Sequence, residues 1–253
     1  MRFDLYAPLR PAAGAPLVVF FYGGNWDSGE KAWYRWVGQA LASRGFLVAI
    51  PDYRRVPDVR FPAFLEDGAA AVAAARRAAP RFGGDPDRVA LAGHSAGAWT
   101  AVMLALDARW LSNAGVPSAS VRAALGLAGP YDFYPFDVPA SIAAFGEAED
   151  PLATQPLSFV RPDAPSLWLG HGDSDAIVRP RNSIGLAQAM TKVGGRAALR
   201  LYSRIDHVQA VLALSPVLRW RAPVLAEMAD FIRRETATAP QLNAVGKPVA
   251  TFA

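Results

Sequence analysis

Val89-Ala90-Leu91-Ala92-Gly93-His94-Ser95-Ala96-Gly97-Ala98-Trp99, running on through Leu106, is the stretch that decides the fold. It enters as an uncharged apolar run and leaves as an Ala-rich segment, so it reads as strand, tight turn, helix. A serine between two glycines at such a turn is held out of the sheet edge. The turn puts the serine in a sparsely populated backbone region, and side chains at Gly93 and Gly97 would collide with the neighbouring strand and helix. The helix that follows points its N-terminus at the same spot, which leaves the Ala96 amide free to donate to an oxygen gaining negative charge. Ser95 is therefore the candidate nucleophile.

Outward from this turn, short apolar runs alternate with longer helical segments. That alternation predicts an α/β protein with a mostly parallel central sheet and helices on both faces. Strands are expected at Leu17–Tyr22, Phe46–Ile50, Val89–Ala92, Val121–Leu127, Leu167–Gly170 and Ala197–Tyr202, with Arg2–Tyr6 as an added edge. Helices are expected at Trp33–Ser43, Pro62–Ala79, Ala96–Leu106, Asn182–Val193 and Pro223–Arg234. Pro62 suits a helix start, and Gly45 and Gly194 suit helix stops. Residues 129–165 break the alternation with prolines and aromatics and only a helical hint at Ser141–Phe145, the pattern of a lid or binding insertion. Residues 1–235 are thus expected to form one domain, and 236–253, polar and without periodicity, a loosely held tail.

Composition narrows the classes. With 52% hydrophobic and 19% charged residues, the 253-residue chain can bury a large core. No apolar run reaches the roughly 18 residues of a membrane helix, and Met1-Arg2-Phe3-Asp4 does not open a signal peptide, so a cytoplasmic protein with no membrane partner is expected. The absence of cysteine removes disulfides, a thiol nucleophile and thiolate metal sites. A net charge of +4 invites nucleic-acid binding. The basic residues are interleaved with acids, however, as Arg54, Arg55 and Arg60 are with Asp52 and Asp58, so no nucleic-acid partner is expected.

A serine hydroxyl needs a base to accept its proton as it attacks. The chain has three histidines. His94 adjoins Ser95, but neighbours at a tight turn point apart, so it reads as a packed residue bordering the site. His171 ends a strand and reads as structural. His207 lies in the loop after the last strand, where a flexible connection can swing an imidazole over the sheet edge, and is the expected base. A carboxylate must hold that base in one tautomer. Asp173 and Asp175 both follow the strand ending near Gly170; Asp175 is preferred because it lies deeper in the loop, next to an expected apolar anchor at Ile177-Val178. Asp173 then caps its own turn. The order Ser95, Asp175, His207 is one in which a triad occurs on such a sheet. Tyr22-Gly23-Gly24-Asn25-Trp26, after the first long strand, can turn backbone amides toward the reacting carbon. Tyr22 and Trp26 either wall the site or pack in the core.

These motifs resemble the α/β-hydrolase fold carboxylesterases, in particular the bacterial esterase branch related to hormone-sensitive lipase and kynurenine formamidase. The resemblance runs from about Leu17 to Arg233. It is carried by Phe21-Tyr22-Gly23-Gly24-Asn25-Trp26, Pro51-Asp52-Tyr53-Arg54 with Phe61-Pro62, Gly84-Asp85-Pro86-Asp87-Arg88-Val89, Gly93–Gly97, His171-Gly172-Asp173-Ser174-Asp175 and the loop bearing His207. It implies Ser95 as nucleophile, Asp175 as acid and His207 as base, with oxyanion donors at Gly24, Asn25 and Ala96. The family's oxyanion motif usually opens with histidine and continues through three glycines, whereas this chain has Tyr22 and then Gly23-Gly24-Asn25. Amide donation survives any side chain, so the hole is still expected.

The resemblance implies a cofactor-independent serine esterase, with no metal, that cleaves small or short-acyl carboxylic esters. Tyr22, Gly23, Trp26, His94, Phe133 and Phe136 are expected around the substrate. The insertion is shorter than a full lipase lid, which argues against long-chain triglycerides. Two other readings share the fold: an arylformamidase using the same triad, and a non-catalytic binding protein. A small-molecule ester is the expected partner, with the protein a monomer or homodimer.

Overall fold

The computed structural model describes residues 2–9 and 14–238. Seven strands form one sheet: β1 (Phe3–Tyr6), β2 (Ala15–Phe21), β3 (Leu47–Pro51), β4 (Gly84–His94), β5 (Val121–Leu127), β6 (Ser166–Gly172) and β7 (Ala197–Tyr202). Their order is β1-β3-β2-β4-β5-β6-β7, with β1 antiparallel to β3 and every other pairing parallel. A parallel sheet covered on both faces needs strands without a polar side, and Leu17-Val18-Val19-Phe20-Phe21 is fully buried throughout. The mostly parallel sheet is as expected from the alternation of elements, and the architecture is the α/β-hydrolase one that the resemblance implies. β4 starts five residues earlier than its apolar run suggests. Gly84 and Asp85 pair with Ala15 and Pro16 before a register shift at Pro16/Leu17, so the polar residues ahead of Val89 hide a real strand start.

The helices are α1 (Arg35–Ala42), α2 (Ala63–Ala78), α3 (Ala96–Leu106), α4 (Ala108–Asn113), α5 (Pro139–Phe145), α6 (Arg181–Lys192), α7 (His207–Leu212) and α8 (Val224–Glu235). All eleven residues of α3 are buried, which is why its sequence carries no polar face. Gly45 and Gly194, at φ 94° and 81°, follow α1 and α6 in the left-handed region. The expected helix at Trp33 instead begins as a 3-10 turn, Lys31–Tyr34. α4 has no counterpart among the expected helices; its signal is Asp107, whose side chain accepts from the Arg109 amide at the helix start.

Residues 129–165 are mostly irregular, as expected, but α5 begins earlier than the hint at Ser141, with proline at its first position. Two more proline-led 3-10 turns follow, Pro151–Thr154 and Pro156–Phe159. Phe145 is fully buried and joins Trp26, Phe61, Phe64, Trp99, Phe133 and Phe136 in one aromatic cluster over α3, with centroid separations from Phe145 of 4.7 to 5.8 Å. At the other end, Thr236 is buried and its carbonyl accepts from Arg88 at 2.7 Å, so the expected tail does not begin there. The rest of that tail, from residue 239 on, lies outside the described residues.

Candidate active site

The parallel strands β4, β6 and β7 end on one edge of the sheet, and the loops leaving them bring Ser95, Asp175 and His207 together. Ser95 sits between β4 and α3 at φ 55°, ψ −124°, a region that side chains other than glycine rarely occupy. The surroundings impose it. A Cβ on Gly93 would lie 2.2 Å from the Gly97 carbonyl oxygen, and one on Gly97 would lie 2.1 Å from the Phe21 carbonyl oxygen. Strand end and helix start are in backbone contact, with no room for even a methyl group.

His207 Nε2 lies 2.9 Å from Ser95 Oγ, and its Nδ1 lies 2.7 Å from Asp175 Oδ2. All three residues are buried. The expected flexible loop at His207 is corrected: His207 is the first residue of α7. Asp206 accepts from the Gln209 amide while the Gln209 side chain accepts from the Asp206 amide, and this reciprocal pair starts a helix. The D-x-x-Q spacing at 206–209 was the available signal.

Asp175 is fixed differently from expectation as well. Ile177 is 66% exposed and anchors nothing; instead Asp175 Oδ1 accepts from the amides of Ile177 and Val178, each at 2.9 Å. Burial raises the Asp175 carboxyl, but hydrogen bonds from His171 and His207, the His207 charge and the Val178 amide outweigh it and hold the group well below the usual carboxylate range. Asp173 does more than cap its own turn. Its Oδ1 accepts from Ser174 Oγ at 2.9 Å and from the Arg204 amide at 2.7 Å, joining the loop after β6 to the loop after β7.

Opposite the serine, Gly24, Asn25 and Trp26 have φ of 137°, 51° and 62°. The Gly24 carbonyl accepts from the Asp27 amide at 3.0 Å and the Ser28 amide at 2.9 Å, which turns it into its own loop. Among the described residues, none accepts from the amides of Gly24, Asn25 or Ala96. Gly23 is different: its amide donates to Tyr34 Oη at 3.2 Å, and a Cβ there would lie 3.1 Å from Ser95 Cβ. Its smallness is what lets this turn lie against the serine.

The residues expected around the substrate divide into two groups. Tyr22 stacks on Tyr53 at 4.6 Å and donates to Asp52 at 3.4 Å; burial and the Asp52 charge push its phenol up to about 12. Trp26 stacks on Phe133 at 5.7 Å and is also buried. His94 is buried with Nε2 3.1 Å from the His207 carbonyl; burial and the neighbouring His207 push its imidazole down to about 3, so it is neutral. Phe133 and Phe136 are half-buried and stay partly open to an incoming group. No group of three or more metal-ligating side chains occurs among the described residues, and no described helix is long and apolar enough to cross a membrane.

Chemically, the arrangement can pass a proton from Ser95 to His207, keep the resulting imidazolium against Asp175, and offer amides to a developing oxyanion. Comparison with known proteins finds esterases among the chain's relatives. The chain is 32% identical, over 92% of its length and 60% of the relative's, to the probable isoprenylcysteine alpha-carbonyl methylesterase ICMEL1 of Oryza sativa subsp. japonica. It is 27% identical to esterase LipQ of Mycobacterium tuberculosis, over 88% of the chain and 56% of that protein. The apo form of Thermogutta terrifontis esterase 2 has a similar structure, with TM-score 0.78 and 25% identity over 94% of this chain and 91% of that one. The chain spans about half to two thirds of the length of the curated relatives it matches. The BD-FAE family model matches residues 3–190, which hold the glycine turn, the serine turn and the acid loop, and the chain belongs to the BD-FAE family.

Proposed function

We propose that this protein is a serine carboxylesterase acting on small or short-acyl carboxylic esters through an acyl-enzyme. Ser95 attacks the ester carbonyl while His207 takes its proton. The amides of Gly24, Asn25 and Ala96 hold the oxyanion, and His207 returns the proton to the departing alcohol. Asp175 keeps the His207 proton on Nδ1 and stabilises the imidazolium. A water activated by His207 then releases the acid. The observation that carries this reading is the unbroken run Asp175–His207–Ser95, at 2.7 and 2.9 Å. The named esterases among the relatives support it. The half-buried rings of Phe133 and Phe136 support a compact acyl site walled by residues 129–165.

The test is a p-nitrophenyl ester series from acetate to decanoate, run beside an N-formyl aryl amine, with fluorophosphonate labelling. Wild type should label at Ser95, located by mass spectrometry, and turn over the shortest esters fastest. Ser95→Ala should lose labelling and about 10⁶-fold in kcat while keeping its circular dichroism spectrum. An unlabelled, inactive wild type would favour the binding-protein reading. Faster formamide than acetate turnover would move the enzyme to the arylformamidases.

A further inference from the structure

Asp175 faces two histidines. Besides His207, it meets His171, whose Nε2 lies 3.3 Å from Asp175 Oδ2 and 2.8 Å from the Val178 carbonyl oxygen. The other ring nitrogen, Nδ1, lies 2.7 Å from Ser183 Oγ in the first turn of α6. His171 and Ser183 are both fully buried. We propose that Ser183 and His171 are a positioning pair that fixes the Asp175 carboxylate, and through it the base His207; the proposal rests on the triad reading above.

The argument follows from which groups can donate. The Val178 carbonyl can only accept, so His171 Nε2 must carry a proton. Where that is the ring's one proton, Nδ1 is an acceptor, and the Ser183 hydroxyl is the donor beside it. The Val178 carbonyl and the Asp175 carboxylate therefore set the tautomer, and the serine hydroxyl, which can donate or accept, satisfies the other nitrogen and holds the ring from that side. With that tautomer, the Nε2–H is shared between the Val178 carbonyl and Asp175 Oδ2. Oδ2 also meets His207 Nδ1, and Oδ1 takes the two amides of the same loop. Asp175 thus has both oxygens engaged on two sides each, and its carboxylate plane cannot turn without breaking one of these contacts. With Ser183 gone, Nδ1 is left unpaired in the interior and nothing holds the ring from that side. The ring can then tilt, which loosens the Nε2–H from the Val178 carbonyl and from Asp175 Oδ2. Residues 175–178 would be free to shift, and His207 would lose its alignment on Ser95.

The experiment uses the full chain with ¹⁵N-labelled histidine. In wild type, His171 should show the Nε2–H tautomer; an Nδ1–H tautomer there would overturn the proposal before any variant is made. Ser183→Ala should leave the proton on Nε2 but move the His171 Nδ1 resonance, as that nitrogen loses its hydrogen bond, and weaken the His207 Nδ1–H signal. The same variant should lower kcat on p-nitrophenyl acetate by roughly ten- to a hundredfold, with KM within about twofold. Ser183→Thr, which restores the hydroxyl, should recover both readouts. If Ser183→Ala lowers only Tm, with the His207 Nδ1–H signal and kcat of the folded protein unchanged, the pair is merely structural and the proposal fails. Ser95→Ala in the same assay separates the two ideas: an active Ser95→Ala removes the triad reading, whereas an inactive one beside a fully active Ser183→Ala removes only the positioning pair.

Discussion

The serine turn and residues 129–165, the proposed wall of the acyl site, are held by different means. At Gly93–Gly97 the geometry is set by main chain against main chain: the carbonyls of Phe21, Tyr22 and Gly97 occupy the space where side chains would go. The wall is held by side chains reaching to main chain. Asn182 Oδ1 accepts from the amides of Tyr131 and Asp132, Gln155 Oε1 accepts from the Phe133 amide, and Trp99 Nε1 donates to the Thr154 carbonyl. Backbone packing leaves one solution. Side-chain tethers and stacked rings leave several, so the first region should answer substitution by failing and the second by adjusting.

Gly97→Ala should have the largest effect. Its new methyl group would meet carbonyl oxygens at 2.1 and 2.4 Å, and neither strand nor helix can withdraw. A loss of more than about 4 kcal/mol is expected, seen as a collapsed Tm or absent folded protein. Within the wall, Phe145→Ala removes a fully buried ring from the cluster and should cost about 3–5 kcal/mol in urea unfolding. Phe133→Ala trims a half-buried ring and should cost less stability while moving the acyl-length optimum toward longer esters. A wall in which Phe133→Ala changes stability but not acyl preference would not be lining the substrate.

The smallest effect is on pH dependence. His94 is held at about 3, below its unfolded value near 6.5, so the unfolded chain binds more protons between those values. Stability contributed there is full above pH 6.5 and is lost progressively as pH falls toward 3. Asp175, also lowered, adds a loss only below the ordinary carboxylate range near 4. Tm measured between pH 7 and 5 should therefore fall in wild type and fall less in His94→Gln.

The same contrast explains what could be read from residues alone. The sheet was legible because Leu17–Phe21, Val121–Leu127 and Ala197–Tyr202 carry their apolar pattern locally. Gly93 and Gly97 were legible because a missing side chain is itself a signal. Asn182 and Gln155 gave none, since an amide side chain that caps a segment 51 or 22 residues away looks like any surface amide until the chain is folded. The start of α7 was readable in principle from Asp206 and Gln209, but the short helix lacks the repeated apolar spacing that marks longer ones. The anchoring of Asp175 by its own loop's amides was hidden by Ile177, an apolar residue that points into solvent.

The close seating of Gly97 on Phe21 and Tyr22 has a further consequence for engineering. The first turn of α3 and the end of β2 touch through their backbones, so they form one frame that seats the start of α3 on the strand leading into the glycine turn. Widening that frame for a bulkier acyl group would mean moving a central strand. Changes of side-chain volume are therefore better placed in the rings of residues 129–165, where they leave that backbone contact as it was.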